Sequence, residues 1–210
     1  MAMAMEFHAA LRDGTPLLVR TVRPSDRAAL VEGFAHLSER SRMFRFMAPI
    51  RALSERDIAR FTAESTPSRY ALGALDLGTH PPTPAGIARY ERLDMQEGMD
   101  RGDEAEMAVT IVDSHQKRGL GTLLFAAIAL VGAEAGIAAF IAFVHGENHA
   151  MARLMRDLGG RSSSVPGTGY EFRIPIGRDP TIYPETSAGL AVRDAYRLIL
   201  SQRPLGGSQA

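Results

Sequence analysis

The 210-residue sequence contains no cysteine, and this absence excludes disulfide bonds, thiolate nucleophiles and thiolate metal sites. The sequence also contains only six histidines, so we expect no metal centre. The 24 basic and 24 acidic residues cancel, so the chain lacks the positive field that favours binding to nucleic acid or to an anionic membrane. No run of 18 apolar residues occurs, which predicts no membrane-spanning helix.

The other bulk properties fit one ordinary globular domain. A chain of 210 residues is long enough to bury a substantial core. Met1–Ala10 carries an acidic residue and no basic segment, so we expect no signal peptide. Together with the missing cysteine, this favours a cytoplasmic location. No internal repeat occurs, and the oligomeric state leaves no mark in the sequence.

The spacing of apolar residues predicts a mixed α/β (α+β) domain with a central sheet. Alternating or continuous apolar runs predict strands at Pro16–Arg23, Arg69–Leu77, Ala85–Leu93, Glu106–Val112, Ala138–Val144 and Tyr170–Ile176. Helical spacing and start signals predict helices that begin at Pro24 and Ser54 and helices at Gly119–Gly136, Asn148–Leu158 and Glu185–Ser201. Ser54 and Asp57 have the spacing of a capping box. The polar segment Asp94–Asp103 is predicted to be a loop.

The most informative segment joins the strand at 106–112 to the helix at 119–136. It reads Gln116-Lys117-Arg118-Gly119-Leu120-Gly121-Thr122, and we call it the phosphate turn. Its glycines let a ligand approach backbone N–H groups without a Cβ in the way. The first turn of a helix offers unpaired N–H donors and the positive end of the helix dipole, which suits a phosphate. Lys117 and Arg118 add two positive charges, so the segment predicts an anion-binding site.

Other interpretations of the same glycines must be weighed. The glycines could serve only to pack the strand tightly against the helix, with Lys117 and Arg118 in solvent. Two other phosphate motifs are excluded. A P-loop needs the triplet Gly-Lys-Ser/Thr, which is absent from this segment, and a dinucleotide fingerprint needs a third glycine where Leu124 stands.

The phosphate turn resembles the Q/R-x-x-G-x-G/A motif of the GNAT superfamily of N-acetyltransferases. Flanking segments resemble the same family: Val19–Asp26 is similar to its first strand and turn, and Phe140–Gly159 to a later strand, an asparagine and a helix that ends in Leu-Gly. More narrowly, Leu37–Phe61 and Glu147–Gly159 resemble the acetyltransferase domain of Pat-type bacterial protein lysine acetyltransferases.

The resemblance implies a domain organisation. A GNAT domain would occupy residues 15–176, with a mixed, mostly antiparallel sheet flanked by helices. Residues 1–14 would be an N-terminal extension. Residues 177–210 would be a C-terminal extension that carries one extra helix.

The resemblance also implies acetyl-CoA as the co-substrate, without a metal. The CoA pyrophosphate would contact backbone N–H groups of the phosphate turn from Arg118 to Thr122. The pantetheine arm would pair with backbone near Ile111 and Val112, in a splay between two strands. Asn148 would hold the pantetheine, cap the helix that begins there, or do both. The implied cofactor-binding residues are Ile111, Val112, Gln116, Lys117, Arg118, Gly119, Leu120, Gly121, Thr122 and Asn148.

Glu106 is the general base that the resemblance implies, because an amine must lose its proton before it attacks a thioester. Glu104 lies two residues earlier on the same strand face and is the alternative, while both could be ordinary surface carboxylates. A backbone N–H near Val109–Ile111 would stabilise the oxyanion. Many GNAT enzymes have a tyrosine in the helix after the asparagine to protonate the leaving thiolate. Met155 stands there, as in Pat-type domains, and Tyr170 is either a substitute or a packing residue.

The predicted acceptor is a primary amine, and the Pat-type resemblance favours a protein lysine. A small-molecule amine N-acetyltransferase would share every motif named above, and the acidic segment Glu91–Glu106 would suit a cationic acceptor. A non-catalytic acetyl-CoA sensor would share the phosphate turn, but it would not need a base at Glu106.

Residues between the first two predicted helices give less specific signals. Met43–Met47, with its two phenylalanines, is predicted to be core or the lining of an acceptor cleft. Elsewhere, His115 and His145 are isolated and predicted to be polar surface or core groups. Four arginines predict either a solvated face or contact with an acidic substrate: Arg40, Arg42, Arg45 and Arg51.

Overall fold

An eight-stranded sheet forms the centre of the computed structural model, which describes residues 4–93, 102–167 and 169–203. The strands are β1 Glu6–Ala10, β2 Pro16–Thr21, β3 Arg69–Asp76, β4 Thr83–Arg92, β5 Glu104–Ile111, β6 Ala139–His145, β7 Arg161–Val165 and β8 Gly169–Pro175. They lie in the order β1-β2-β3-β4-β5-β6-β8-β7, and every neighbouring pair except β5 and β6 is antiparallel. The predicted mixed, mostly antiparallel sheet is confirmed.

Helices cover both faces of this sheet. In the part of the chain that the structure describes they are α1 Arg27–Ala35, α2 Glu39–Phe46, α3 Glu55–Phe61, α4 Leu120–Glu134, α5 His149–Asp157 and α6 Ser187–Gln202. Helices α4, α5 and α6 share one large hydrophobic cluster with the strands, while α1 and α3 pack together away from that cluster, with α1 against β4. None of the described helices has the length and apolar character that crossing a bilayer requires.

The core is built around α4, whose sequence is apolar on nearly every side. Leu124, Phe125 and Ile128 are fully buried, because α4 lies between the sheet and α6. Helix α6 contributes Tyr196, whose ring packs edge-on against Tyr183 at 5.9 Å between centroids. Fully burying a Leu, Ile or Phe side chain contributes about 1.5–3 kcal/mol, so this layer fixes the position of the loop that enters α4.

The strands and helices that the sequence predicts are present, and the structure adds three elements. Strand β1 pairs with β2 over Glu6–Ala10, inside the segment that the sequence sets apart as an extension. Helix α2 begins after Ser38, whose side chain accepts a hydrogen bond from the Ser41 amide. Strand β7, with the sequence RSSSV, has no apolar alternation and is an exposed edge strand paired with β8. Of the predicted loop at 94–103, residues 94–101 lie outside the described part of the chain.

Gly189 gives a test of how α6 docks. A Cβ at this position would lie 2.0 Å from the Pro184 carbonyl oxygen, which belongs to backbone and cannot swing away. Gly189→Ala is therefore expected to lower the free energy of unfolding by about 1–3 kcal/mol, measured by urea denaturation. Gly121→Ala is the matched control, because the nearest atom to its Cβ would be 3.9 Å away. Equal stability of the two variants would contradict this packing.

Candidate active site

The site is created where β5 and β6 separate. These parallel strands are in register at Glu104–Glu106 opposite Ala139–Ile141, and beyond that point they diverge. The space between them opens into a cleft of about 930 Å³, which is also lined by α2, the phosphate turn and α5. Strand β5 stays paired with β4 as far as Ile111, so each strand loses hydrogen-bond partners only on the side that faces the cleft. Such backbone groups are available to an extended ligand.

Strand alternation decides which backbone groups of β5 face the cleft. The Val112 amide donates to the Ala85 carbonyl at 2.9 Å, and the Val112 carbonyl accepts from the His115 amide at 2.8 Å. Since successive residues of a strand point their backbone groups to opposite sides, those of Val109 and Ile111 are directed at the cleft. Of the two residues expected to pair with pantetheine, Ile111 is thus directed at the cleft, and Val112 is engaged inside the protein.

Two residues of the phosphate turn have a left-handed backbone conformation. Lys117 has a φ of 60° and Gly119 a φ of 95°, and Gly119 is the N-terminal cap of α4. Leu120 is fully buried and holds the turn to the core. The position of Gly121 is open, and Thr122 is only partly buried. The first N–H groups of a 15-residue helix are therefore presented to the cleft with the positive end of its dipole.

The sequence predicted that Lys117 and Arg118 both place positive charge at the anion-binding site, but in the structure Arg118 does not. The Arg118 side chain turns away to the β1–β2 hairpin, where its Nε donates to Asp13 Oδ2 at 2.5 Å and a further nitrogen donates to Thr15. The Arg12 amide in turn donates to the Arg118 carbonyl at 3.2 Å. This brings the Arg12 Nε within 3.6 Å of the position that a Cβ on Gly119 would take. Arg12 and Lys117 are thus the exposed cations that line this end of the cleft.

A buried hydrogen bond between His115 and Asp76 braces the other side of the turn. His115 Nε2 lies 2.9 Å from Asp76 Oδ2, and its Nδ1 lies 2.9 Å from Ser114 Oγ. Burial raises the pKa of the Asp76 carboxyl, but the hydrogen bonds with His115 and the Gly78 amide outweigh burial and lower that pKa. A charged, bonded Asp76 therefore fixes the short helical turn Asp113–His115 that leads into the phosphate turn.

Gln116 and Asn148 act in local hydrogen bonds at the edge of the cleft. Gln116 Nε2 donates to the Ile111 carbonyl at 3.1 Å and to Ser41 Oγ at 3.2 Å, so it ties α2 to the phosphate turn. Asn148 caps α5, because its side-chain oxygen accepts from the Met151 amide at 3.2 Å. The capping role proposed for Asn148 is thus present, and its side chain also lines the cleft.

The two glutamates of β5 have different surroundings. Glu106 is partly buried, lines the cleft at the point where the strands separate, and has no hydrogen-bond or ion-pair partner among the described residues. Glu104 is buried and accepts a hydrogen bond from Arg173 Nε at 2.5 Å. Of these two glutamates, Glu106 is therefore the one that a ligand in the cleft can reach.

Met155, which stands where many GNAT enzymes have a tyrosine, and Tyr170, the possible substitute for that tyrosine, have different surroundings. Met155 is almost fully buried in the core and lines the cleft with an apolar side chain. Tyr170 packs against Phe172 at 6.2 Å between ring centroids and beneath the Arg156 guanidinium, and it does not line the cleft. Within the described residues, no group of three or more His, Asp or Glu side chains is placed to hold a metal ion.

Comparison with known proteins identifies the family. The model of the acetyltransferase (GNAT) domain matches residues 16–161, which is more than half of the chain. The chain belongs to the GNAT acetyltransferase family. It is therefore an acetyltransferase, and acetyl-CoA is the acetyl donor of this family.

Solved structures resemble this chain at different levels of similarity. The GNAT domain of S. lividans PAT has 31% identity and a TM-score of 0.72, and the match covers 81% of this chain and 97% of that one. A cAMP-binding acyltransferase from Mycobacterium smegmatis has 21% identity and a TM-score of 0.57, and the match covers 94% of this chain but only 56% of that one. The Salmonella typhimurium protein yncA, solved with its cofactor acetyl-CoA, shares the fold at 19% identity, a TM-score of 0.58, and coverage of 81% and 96%.

CoA binding to this GNAT domain can be tested at Gly121. Saturating CoA is expected to raise the melting temperature of the wild type, since a ligand at 100 times its Kd stabilises the native state by about 2.7 kcal/mol. Gly121→Leu is expected to abolish this rise, because its side chain would fill the space over the first N–H groups of α4.

The apo stability of Gly121→Leu is the control, measured by urea denaturation, and it is expected to stay close to that of the wild type. Arg12→Ala is expected to weaken CoA binding without abolishing it. A wild-type melting temperature that does not change at saturating CoA would contradict the site.

Proposed function

We propose that the protein transfers the acetyl group of acetyl-CoA to a primary amine, a protein lysine, by direct attack in a ternary complex. The observation that carries this proposal is the position of Glu106, a carboxylate at the closed end of the cleft that has no hydrogen-bond or ion-pair partner in the part of the chain that the structure describes. The phosphate turn lies at the other end of β5, so a CoA molecule that binds there would extend its thioester along the cleft toward Glu106.

The proposed binding of CoA uses backbone more than side chains. The pyrophosphate would accept hydrogen bonds from N–H groups between Arg118 and Thr122, with Lys117 and Arg12 as the nearby cations. The pantetheine would pair with the backbone of Ile111, and the Asn148 amide would hold its polar groups. Of the remaining predicted residues, Gln116 would hold the turn through its side-chain hydrogen bonds to Ile111 and Ser41, and Gly119, Leu120 and Gly121 would contribute their backbone N–H groups.

The proposed reaction needs one base and one oxyanion donor. Glu106 would take the proton of the acceptor ammonium, directly or through a water molecule. The amine lone pair would then attack the thioester carbonyl carbon, and the backbone N–H of Val109 would stabilise the oxyanion. The attack forms the C–N bond and leaves a positive charge on nitrogen; collapse of the intermediate breaks the C–S bond, and the nitrogen loses its extra proton to solvent to give the neutral amide. The CoA thiolate can leave unprotonated, because a thiol has a lower pKa than an alkyl amine, which agrees with an apolar Met155 beside the cleft.

A protein lysine suits the shape and chemistry of the cleft. An ordinary lysine has a pKa of about 10.4, so a base is required at neutral pH. The rim of the cleft includes Phe143, which is 46% exposed, and the exposed residues Glu147 and His149. A wide, exposed rim admits a side chain that projects from a folded protein, whereas small ligands are usually enclosed. The similarity to the S. lividans PAT domain supports the same choice.

The role of Glu106 predicts a specific kinetic defect. Glu106→Gln keeps the size of the side chain but cannot accept a proton, so kcat is expected to fall by roughly 10²–10⁴-fold. The Kd of CoA, measured by calorimetry, is expected to change little. Glu104→Gln is the matched control, because it removes the carboxylate bonded to Arg173, and its kcat is expected to stay within a few-fold of the wild type. A fully active Glu106→Gln enzyme would rule out Glu106 as the base.

The acceptor class can be tested by comparing amines directly. Wild-type enzyme and acetyl-CoA are incubated with folded lysine-bearing proteins and with polyamines or aminoglycosides, and both CoA release and acetylation by mass spectrometry are followed. Lysine acetylation above the spontaneous rate, with no comparable turnover of small amines, is the expected result. The Glu106→Gln enzyme gives the background rate. Efficient acetylation of one small amine, without any enzyme-dependent lysine acetylation, would show that the acceptor is a small molecule.

A further inference from the structure

Two arginines lie beside Glu106 on the side of the cleft away from the phosphate turn. Arg45 is in the last turn of α2, and its guanidinium lies 4.9 Å from the centre of the Phe46 ring and 5.8 Å from that of Phe61. Arg89 is on β4, and its guanidinium lies 4.6 Å from the centre of the same Phe61 ring. The two cations are thus held next to one aromatic ring, and both line the cleft.

These arginines have unused capacity to bind an anion. Among the described residues, Arg45 has no hydrogen-bond or ion-pair partner. Arg89 Nη1 lies 3.7 Å from Glu91 Oε2. That oxygen already accepts a hydrogen bond from Arg60 Nε at 3.1 Å, so Glu91 is paired mainly with Arg60. The Arg89 Nε is buried and donates to no acceptor in the described part of the chain. Buried donors and charges without partners are costly unless a ligand completes them.

The electrostatics of the pair agree with this geometry. Burial, with repulsion from Arg89, lowers the pKa of Arg45 to about 10. Burial, with repulsion from Arg60, also lowers the pKa of Arg89. Glu106 attracts both cations, but it makes no hydrogen bond to either. When Glu106 takes up the proton of the acceptor, it loses its negative charge. The positive charges of the two arginines then have one fewer negative charge nearby to balance them.

We infer that Arg45 and Arg89 bind a carboxylate of the acceptor, so that the enzyme selects lysines that have an aspartate or glutamate beside them. The inference rests on the proposed lysine acetylation and adds a sequence preference to it. Guanidinium groups bind carboxylates with strong, directional hydrogen bonds, and stacking on aromatic rings holds them in place for such contacts.

The arginines have a second effect on the acceptor. A positive charge near an ammonium group lowers its pKa and so favours the neutral, nucleophilic amine. In this arrangement the flanking carboxylate provides the binding energy, and Arg45 and Arg89 assist the deprotonation that Glu106 completes. The sequence left open whether the arginines near α2 contact an acidic substrate, and this inference assigns that role to Arg45. Arg51, from the same set, is exposed and does not line the cleft.

The test compares two peptides that differ only in charge. One carries a lysine flanked by glutamates, the other the same lysine flanked by glutamines, and kcat/KM is measured for both with acetyl-CoA. The wild type is expected to prefer the glutamate peptide by about tenfold or more, as a charged hydrogen-bonded contact would provide. Arg45→Gln and Arg89→Gln are each expected to reduce this ratio toward unity, and Arg45→Lys is expected to retain part of it. Arg51→Gln is the control and is expected to keep the wild-type ratio.

Each outcome is informative. Equal kcat/KM for both peptides in the wild type would overturn the inference while leaving lysine acetylation intact. A ratio that persists in both glutamine variants, with unchanged CoA affinity as evidence of folding, would also overturn it, because other residues would then read the charge. No acetylation of either peptide, together with turnover of a small amine, would overturn the proposed function and the inference that rests on it.

Discussion

The separation of β5 and β6 is the constraint on which the rest of the site depends. The two strands are in register over three residues, from Glu104 to Glu106, and then diverge while each keeps its other neighbour in the sheet. The protein therefore gives up hydrogen bonds only along the two facing edges, and those edges form the walls of the cleft. Because the last registered residue is Glu106, the closed end of the cleft and the proposed base coincide.

The helices on the two sides of the sheet contribute different parts of the cleft. Helix α4 is almost wholly buried, so its N-terminus cannot shift, and the phosphate turn is held by core packing at Leu120 and by the Asp76–His115 pair. Helix α2 is more exposed and brings arginines and aromatic rings to the opposite end of the cleft. One end of the cleft thus presents backbone N–H groups, where a phosphate would bind in the proposed function, and the other presents charged side chains, where the acceptor would bind.

Local signals in the sequence predicted much of this arrangement. The capping box at Ser54 is present, with the Asp57 amide donating to Ser54 Oγ at 3.1 Å, and the helix predicted after the glycines begins at Leu120. The position of Glu106 followed from family resemblance. Features that depend on distant contacts could not be predicted. The Arg118 side chain pairs with a residue 105 positions away in sequence, and Arg45 becomes buried only when rings from α2 and α3 come together.

The bond network between Arg118 and the β1–β2 hairpin makes the N-terminus part of the ligand site. Asp13 and Thr15 hold the Arg118 side chain, and the Arg12 amide holds its carbonyl, so the hairpin and the phosphate turn are ordered together. Equilibrium binding is reciprocal: the free energy by which the docked hairpin favours CoA equals the free energy by which CoA favours the docked hairpin. The hairpin would therefore help to set the affinity for CoA in two ways, by ordering the phosphate turn and through the Arg12 side chain that lies beside Gly119.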